Sequence, residues 1–411
     1  MGMREEVDVI SALCKNKDIH VLFENSIENM LKSTGDVWDF VKDYYNETRQ
    51  VPDENLIATR FRDFEPSNNP GPTVYHVNRL KETFLDESLR LTVKKAAQLL
   101  QDNQSGKALN SLTSDITSLS RVTAKVRDID VTDVEDAVSY FEKQRENAMN
   151  GVVGIKSNIA AFDVCLPMGI SNGQLGVLLA YPAIGKSWLA LYLAVQAWKN
   201  GRTPMILSLE MTEQEVRNRI FTIIGDGKWS HRALSSGRVN QDEFRAWAKE
   251  NLEGKPPFKI ISNDGGSEVN PNVVRAKIDQ YKPDIVFIDY LQLMTDNSGT
   301  SQNETVKIKN LSRELKLLAI SEQIPVVAIA SATPDDASDL ESVPQLGQVA
   351  WSRQIAYDAD WVLAMGRKAN SDALEIAFRK NRHGFLGDFI MLADFDKGKF
   401  SEVYDPGEGL M

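Results

Sequence analysis

The sequence has little cysteine. Cys14 and Cys165 are the two in 411 residues and lie far apart. That excludes a disulfide framework and a paired-cysteine zinc site, and it suits a reducing cytoplasm. No apolar run approaches the length needed to cross a membrane. The start, Met1 to Asp8, is charged and lacks the apolar centre of a signal peptide. Internal repeats and long low-complexity tracts are absent. Positive charge is not in excess: the formal net charge is -11. The chain is therefore not a globally basic nucleic-acid binder, although an acidic total leaves room for a local basic channel.

What is there is length enough for two domains with sizeable cores. Residues from about 4 to 120 read as helical, with Val7, Ile10, Leu13 and Cys14 at helical spacing. Aromatics cluster at Trp38, Phe40, Tyr44 and Tyr45 and read as core. A proline- and asparagine-rich loop, Glu65 to Pro72, separates these from two long helical patterns, Tyr75 to Asn103 and Lys107 to Leu119. Nothing in this α-helical domain (1–120) looks catalytic, and its expected work is protein contact. A linker (121–150) follows. It contains a short amphipathic helix, Asp133 to Met149, with a narrow stripe of Val134, Val138 and Phe141. Such a helix either caps one domain or docks on a neighbouring subunit.

From Gly151 the composition changes. Short apolar runs at 175–180, 204–209, 258–262, 285–289, 325–330 and 361–365 alternate with helical patterns, as expected for parallel strands covered on both faces. Leu374 to Tyr404 reads as further strands, with turns at Gly384, Gly387 and Gly398. The fold class expected for 151–411 is α/β, a nucleotide-binding domain with a mainly parallel sheet.

Its organising stretch runs from Leu175 to Trp188: strand, tight loop, helix start. The loop, Ala180-Tyr181-Pro182-Ala183-Ile184-Gly185-Lys186-Ser187, ends as a phosphate-binding P-loop does. Backbone N–H groups of such a loop and of the helix N-terminus converge on phosphate oxygens. Gly185 allows close approach, Lys186 reaches the β- and γ-phosphates, and Ser187 can ligate Mg²⁺. Ala180 stands where the pattern has its first glycine, and alanine fits if its φ is negative.

A P-loop alone gives binding without a reaction. Asp289 ends the apolar run Ile285 to Ile288, which places a carboxylate at a strand's C-terminal end and fits a Mg²⁺-holding role. Glu210 follows the strand 204–209. If that strand lies beside the P-loop strand, Glu210 is aimed at the γ-phosphate and can polarise water. The other reading makes it an acid at a helix N-terminus, ahead of Thr212-Glu213-Gln214-Glu215. The basic run Phe378 to Gly384 contains Arg379, Lys380 and Arg382. It is either solvated surface or a source of charge for a phosphate on an adjacent subunit, with His383 reading as a turn residue. Two long loops, Thr295–Asn303 and Ser331–Trp351, follow strands on the same side. Trp351 and Arg353 could stack on and pair with a nucleic-acid strand, or belong to an ordinary surface loop.

These pieces together resemble the DnaB-type hexameric replicative helicases, whose motor domain is RecA-like. The resemblance rests on Ala180 to Ser187, Ser208-Leu209-Glu210-Met211, Ile288-Asp289-Tyr290-Leu291-Gln292-Leu293-Met294, Asp358-Ala359-Asp360, and Lys380-Asn381-Arg382 followed by Gly384 and Gly387. It covers about 151–404; the N-terminal helices and linker match in layout only. The resemblance implies a RecA-like P-loop fold and an ATP- and Mg²⁺-dependent helicase that forms a ring, a hexamer, on single-stranded DNA. It implies that Glu210 is the catalytic glutamate, that Lys380 and Arg382 act in trans with Arg382 as the arginine finger, and that the linker helix docks on the next subunit. Trp188, next to Ser187, completes the nucleotide-binding stretch. Ala350, Trp351, Ser352 and Arg353 match the loop that grips DNA phosphates. Here Ser331 stands where the family carries a sensor glutamine, and Trp351 and Arg353 stand where it carries an acid and a glycine. A helicase loader and a primase are implied partners, and a membrane is not. The setting implied is the bacterial cytoplasm, or that of an infected host for a phage-encoded chain. Two alternatives are a helicase-derived assembly factor that does not unwind and a RecA-type repair ATPase.

Overall fold

The apolar runs at 175–180, 204–209, 285–289, 325–330 and 361–365 become strands buried on both faces, and that at 258–262 becomes a half-buried edge strand. The computed structural model describes residues 2–25, 27–122, 131–149, 154–263, 268–297, 303–336, 340–350, 354–367 and 371–403. They fall into two compact units, Met1–Ala137 and Val138–Met411.

The first unit is α-helical: α1 (Gly2–Asn16), α2 (His20–Asn25), α3 (Gly35–Thr48), α4 (Glu54–Arg60), α5 (Thr73–Gln101) and α6 (Ser105–Val122). Its core gathers Ile10, Leu13, Leu22, Trp38, Val41, Ile57 and Val77. Trp38 is buried, and Phe40 and Tyr45 pack on this core, so the aromatic cluster does serve packing. Helix α7 (Val134–Met149) spans the division between units. Its side chains from Val134 to Glu146 are all exposed, including the stripe of Val134, Val138 and Phe141. The stretch 123–130 of the expected linker lies outside the described residues. Among the described residues no helix is long and apolar enough to cross a membrane.

Among the described residues, the second unit is built on one sheet of nine strands. These are β1 (Leu175–Ala180), β2 (Pro204–Ser208), β3 (Lys259–Ser262), β4 (Ile285–Asp289), β5 (Val326–Ser331), β6 (Trp361–Arg367), β7 (Ala373–Asn381), β8 (Asp388–Asp394) and β9 (Lys399–Glu402). Their order is β3-β2-β4-β5-β1-β6-β7-β8-β9. The pairs from β3 through β6 are parallel, and those from β6 to β9 antiparallel. This is a mixed α/β architecture with a mostly parallel sheet.

The pleat sorts alternate side chains to opposite faces. Leu178 and Ala180 of β1, with Ile285 and Phe287 of β4, join one core; α8 (Ala160–Cys165), α9 (Lys186–Lys199), α10 (Glu213–Gly225) and α12 (Gln241–Leu252) cover it. Leu175, Val177 and Leu179, with Val286 and Ile288, join the other; α13 (Pro271–Tyr281), α14 (Glu304–Glu322) and α15 (Gln354–Asp358) cover that one. The short α11 (His231–Ser235) lies between α10 and α12 in sequence.

One expectation is corrected. The strand carrying Glu210 does not lie beside the P-loop strand: β4 and β5 stand between β2 and β1. Neighbouring parallel strands still end on a common edge, with Ser208 opposite Asp289 and Ala180 opposite Ser331. Every loop after these strands therefore reaches the same crevice.

Candidate nucleotide site

The P-loop turns out of β1 and enters α9 directly. Ala180 is fully buried and still in the strand, paired with Ser331 and Met365. The left-handed turns come later, at Ala183 (φ 62°) and Gly185 (φ 114°). This is why alanine is tolerated at 180. Gly185 is the N-cap of α9 and carries no side-chain cap. The first N–H groups of that helix thus remain available to an anion.

Lys186 folds back over its own loop. Its ammonium donates to the carbonyls of Ala180 (3.1 Å) and Tyr181 (2.9 Å). Burial lowers its pKa, against the pull of Asp289 and Glu210. Asp289, 5% exposed, has its pKa raised by burial, with the Ser187 hydrogen bond opposing. A lysine from one strand's loop and a carboxylate from another strand's end thus share a poorly solvated place.

Glu210 is not the cap of α10. Thr212 is, and it forms a reciprocal capping box with Glu215. Glu210 precedes the cap, is exposed, and lines the same crevice as Lys186 and Asp289.

The crevice holds about 490 Å³. Of the residues expected to bind nucleotide, Pro182, Ala183, Gly185, Lys186, Ser187 and Trp188 line it. Ala180 and Ile184 do not; Ile184 is packed between the two cores. Three lining residues were not legible as site residues in the sequence: Arg219, Arg367 and Phe395. Arg219 lies 5.1 Å from the Trp188 ring, and burial lowers its pKa against attraction from Asp289, Glu215 and Glu210. Its Nε is buried with no hydrogen-bond partner among the described residues. Phe395 stacks on Trp188 (5.5 Å, 25°), and the Arg367 guanidinium sits 5.5 Å from its ring. The one sequence signal for Arg219 is its place three residues after Val216, beside the buried stripe of α10 that continues through Ile220 and Ile223.

Lys380 and Arg382 lie elsewhere. Neither lines the crevice. Lys380 donates to the carbonyls of Ala356 (2.7 Å) and Tyr357 (2.9 Å) at the end of α15. Arg382 donates to Tyr357 (2.8 Å) and lies 3.6 Å from the buried Asp360. The exposed His383 sits at the same distance from Asp360. Asp360 also pairs with Lys316 (2.6 Å) and accepts from the Leu175 N–H (2.7 Å), which ties this basic turn to the start of β1. Of the expected DNA segment, Ala350 is buried and its N–H donates to Ser331 (2.9 Å). Trp351, Ser352 and Arg353 lie outside the described residues.

The donor set suits Mg²⁺. The Ser187 hydroxyl and Asp289 carboxylate are hydrogen-bonded hard oxygens, the kind of pair that holds a small divalent cation with retained waters and phosphate oxygens. Among the described residues no three His, Cys, Asp or Glu side chains cluster to hold a metal alone.

Residues 154–402 match the family described as DnaB-like helicase C terminal domain. A probable plasmid replicative DNA helicase of Chlamydia muridarum is 30% identical over 237 residues, covering 57% of this chain and 52% of that protein. The replicative DNA helicase DnaC of Bacillus subtilis is 25% identical over 271 residues, 63% of this chain and 58% of that one. The chain thus spans little more than half the length of these relatives. Among solved structures, a DnaB-like replicative helicase, described with its primase interactions, superposes with a TM-score of 0.65 at 19% identity. It covers 96% of this chain and 98% of that one.

Proposed function

We propose that this chain, which belongs to the DnaB-like helicase C-terminal-domain family, is a ring-forming motor that hydrolyses ATP to move along single-stranded DNA and unwind duplex. The observation that carries this reading is the division of the catalytic groups. Lys186, Ser187, Glu210 and Asp289 meet at one crevice, whereas Lys380 and Arg382 are held outside it on α15. Cations held apart from their own chain's crevice suit a site completed by a neighbouring subunit.

In this reading Lys186 exchanges its two carbonyl partners for phosphate oxygens. Ser187 and Asp289 would hold Mg²⁺, which offsets phosphate charge when bound. Glu210, exposed at the crevice wall, takes up the proton of the attacking water. Arg219, with its unpartnered Nε, adds a fixed cation. The Phe395 ring with Arg367 beside it offers a flat cationic and aromatic surface on which a nucleobase can stack. Arg382 of the adjacent subunit supplies the arginine finger, with Lys380 beside it. Trp351 to Arg353, which follow the buried Ala350, contact DNA phosphates. The exposed stripe of α7 docks on the next subunit, and the N-terminal helices receive a loader or primase.

An unwinding assay on a forked duplex, run beside ATPase and strand-exchange assays, tests this. ATP-dependent unwinding is expected. Nucleotide binding without unwinding would favour the assembly factor, and strand exchange without unwinding the repair ATPase.

A further inference from the structure

The P-loop faces the crevice on one side and the opposite sheet face on the other. Tyr181, its second residue, is fully buried in the core of that opposite face. Its hydroxyl donates to Gln348 Oε1 across 3.0 Å. Gln348 ends the short 3-10 turn Leu346–Gln348. Its side chain is held from other directions too: Oε1 accepts from the Gln345 N–H (2.9 Å), and Nε2 donates to Asp335 (3.2 Å). Its carbonyl accepts from the Thr333 N–H (2.8 Å). Val349 then bridges to Ala332, and the Ala350 N–H reaches the carbonyl of Ser331, a residue of the crevice wall.

The other end of the Tyr181 residue is electrically engaged. Its carbonyl, with that of Ala180, takes the Lys186 ammonium. An anionic phosphate is a stronger partner for an ammonium than a neutral carbonyl. A phosphate in the crevice therefore draws Lys186 off the Tyr181 peptide. The close-packed ring has little freedom to absorb the change locally, so it passes to the hydroxyl and to Gln348.

We propose that the Tyr181–Gln348 hydrogen bond is a positioning link through which nucleotide in the crevice sets the segment Gln348–Ala350, and with it the affinity for single-stranded DNA. The proposal rests on the helicase reading above. Linkage makes the effect reciprocal: DNA must change nucleotide affinity by the same factor.

The test compares wild type, Tyr181→Phe, Gln348→Ala and the double variant. The quantity read is the ratio of single-strand dissociation constants with and without a non-hydrolysable ATP analogue. Each single variant is expected to shrink that ratio by about 3- to 10-fold, the scale of one hydrogen bond. The double variant should lose no more than Gln348→Ala, which removes the Tyr181 link together with the bonds to Gln345 and Asp335. Nucleotide affinity of Gln348→Ala without DNA should be unchanged, because that side chain does not line the crevice. An unchanged ratio in Gln348→Ala, or losses that add, overturns the link. Gln348 is half-exposed, so its truncation keeps the test open even if Tyr181→Phe folds poorly. A wild-type ratio of one would overturn the helicase reading itself, and the link with it; a wild-type ratio far from one that both variants keep overturns the link alone.

Discussion

The ring of Phe395 lies against Gly185 so closely that a Cβ on the glycine would come within 2.5 Å of it. A turn between two antiparallel strands thus rests on the P-loop, and glycine is required at 185 twice over, for that approach and for its φ of 114°. Gly185→Ala should strain the loop by about 1–3 kcal/mol. It should lower the melting temperature and weaken nucleotide binding at least tenfold. Adding Phe395→Ala should relieve the steric part only. A single variant that binds nucleotide as wild type does would contradict the packing described.

Glu210 separates binding from chemistry. Glu210→Gln keeps the side chain's size and, on the proposed mechanism, loses the base. Nucleotide affinity should stay near wild type while turnover falls by roughly 10²–10⁴-fold. A fall in affinity with turnover intact would make Glu210 a structural acid, despite Thr212 and Glu215 already capping α10.

Asp289 sets stability against activity. Its pKa lies above the ordinary 3.8, burial being the first cause. The folded chain therefore holds this proton more tightly than the unfolded one. Below pH 3.8 both forms are protonated and burial of the group carries no charge penalty. As pH rises the unfolded chain ionises first, and stability falls until the folded-state pKa is passed. Without nucleotide or Mg²⁺, Asp289→Asn should therefore melt higher than wild type at pH 7, with the gain gone at low pH, while its ATPase is lost. A variant that melts lower at pH 7 would show that the carboxylate stabilises the fold.

Arg353 tests the DNA contact. Arg353→Ala should weaken single-strand binding without sequence preference and reduce the salt slope by about one. An unchanged slope would move the grip elsewhere, for example to Thr295–Asn303.

The strands and the P-loop were legible because their signals are local: continuous apolar runs, a glycine and lysine at the helix start, a carboxylate at a strand end. Strand order was not, since nothing in residues 204–209 says that β4 and β5 intervene before β1. Arg219, Arg367 and Phe395 were missed for the same reason. Each reaches the crevice from an element whose place depends on pairing far along the chain. A charged residue in the middle of α10 and an aromatic in the turn after β8 look, by themselves, like solvated surface and hairpin packing. The partners of Lys380 and Arg382 were equally hidden, because α15 meets the end of β7 only once the sheet has formed.

The ring mechanism stands on Arg382 acting across subunits, and mixing tests it most directly. On the proposed mechanism Lys186→Ala removes the charge at the phosphates, and Arg382→Ala removes the finger, which is worth about 10³-fold or more in rate. Each protein alone should be nearly inactive as an ATPase. In co-assembled rings, an Arg382→Ala subunit that holds nucleotide beside a Lys186→Ala subunit that donates Arg382 has one complete site. Partial recovery of ATPase activity on mixing is the expected result. Full activity of Arg382→Ala alone, or mixtures that stay as inactive as their parts despite confirmed co-assembly, would contradict the shared site.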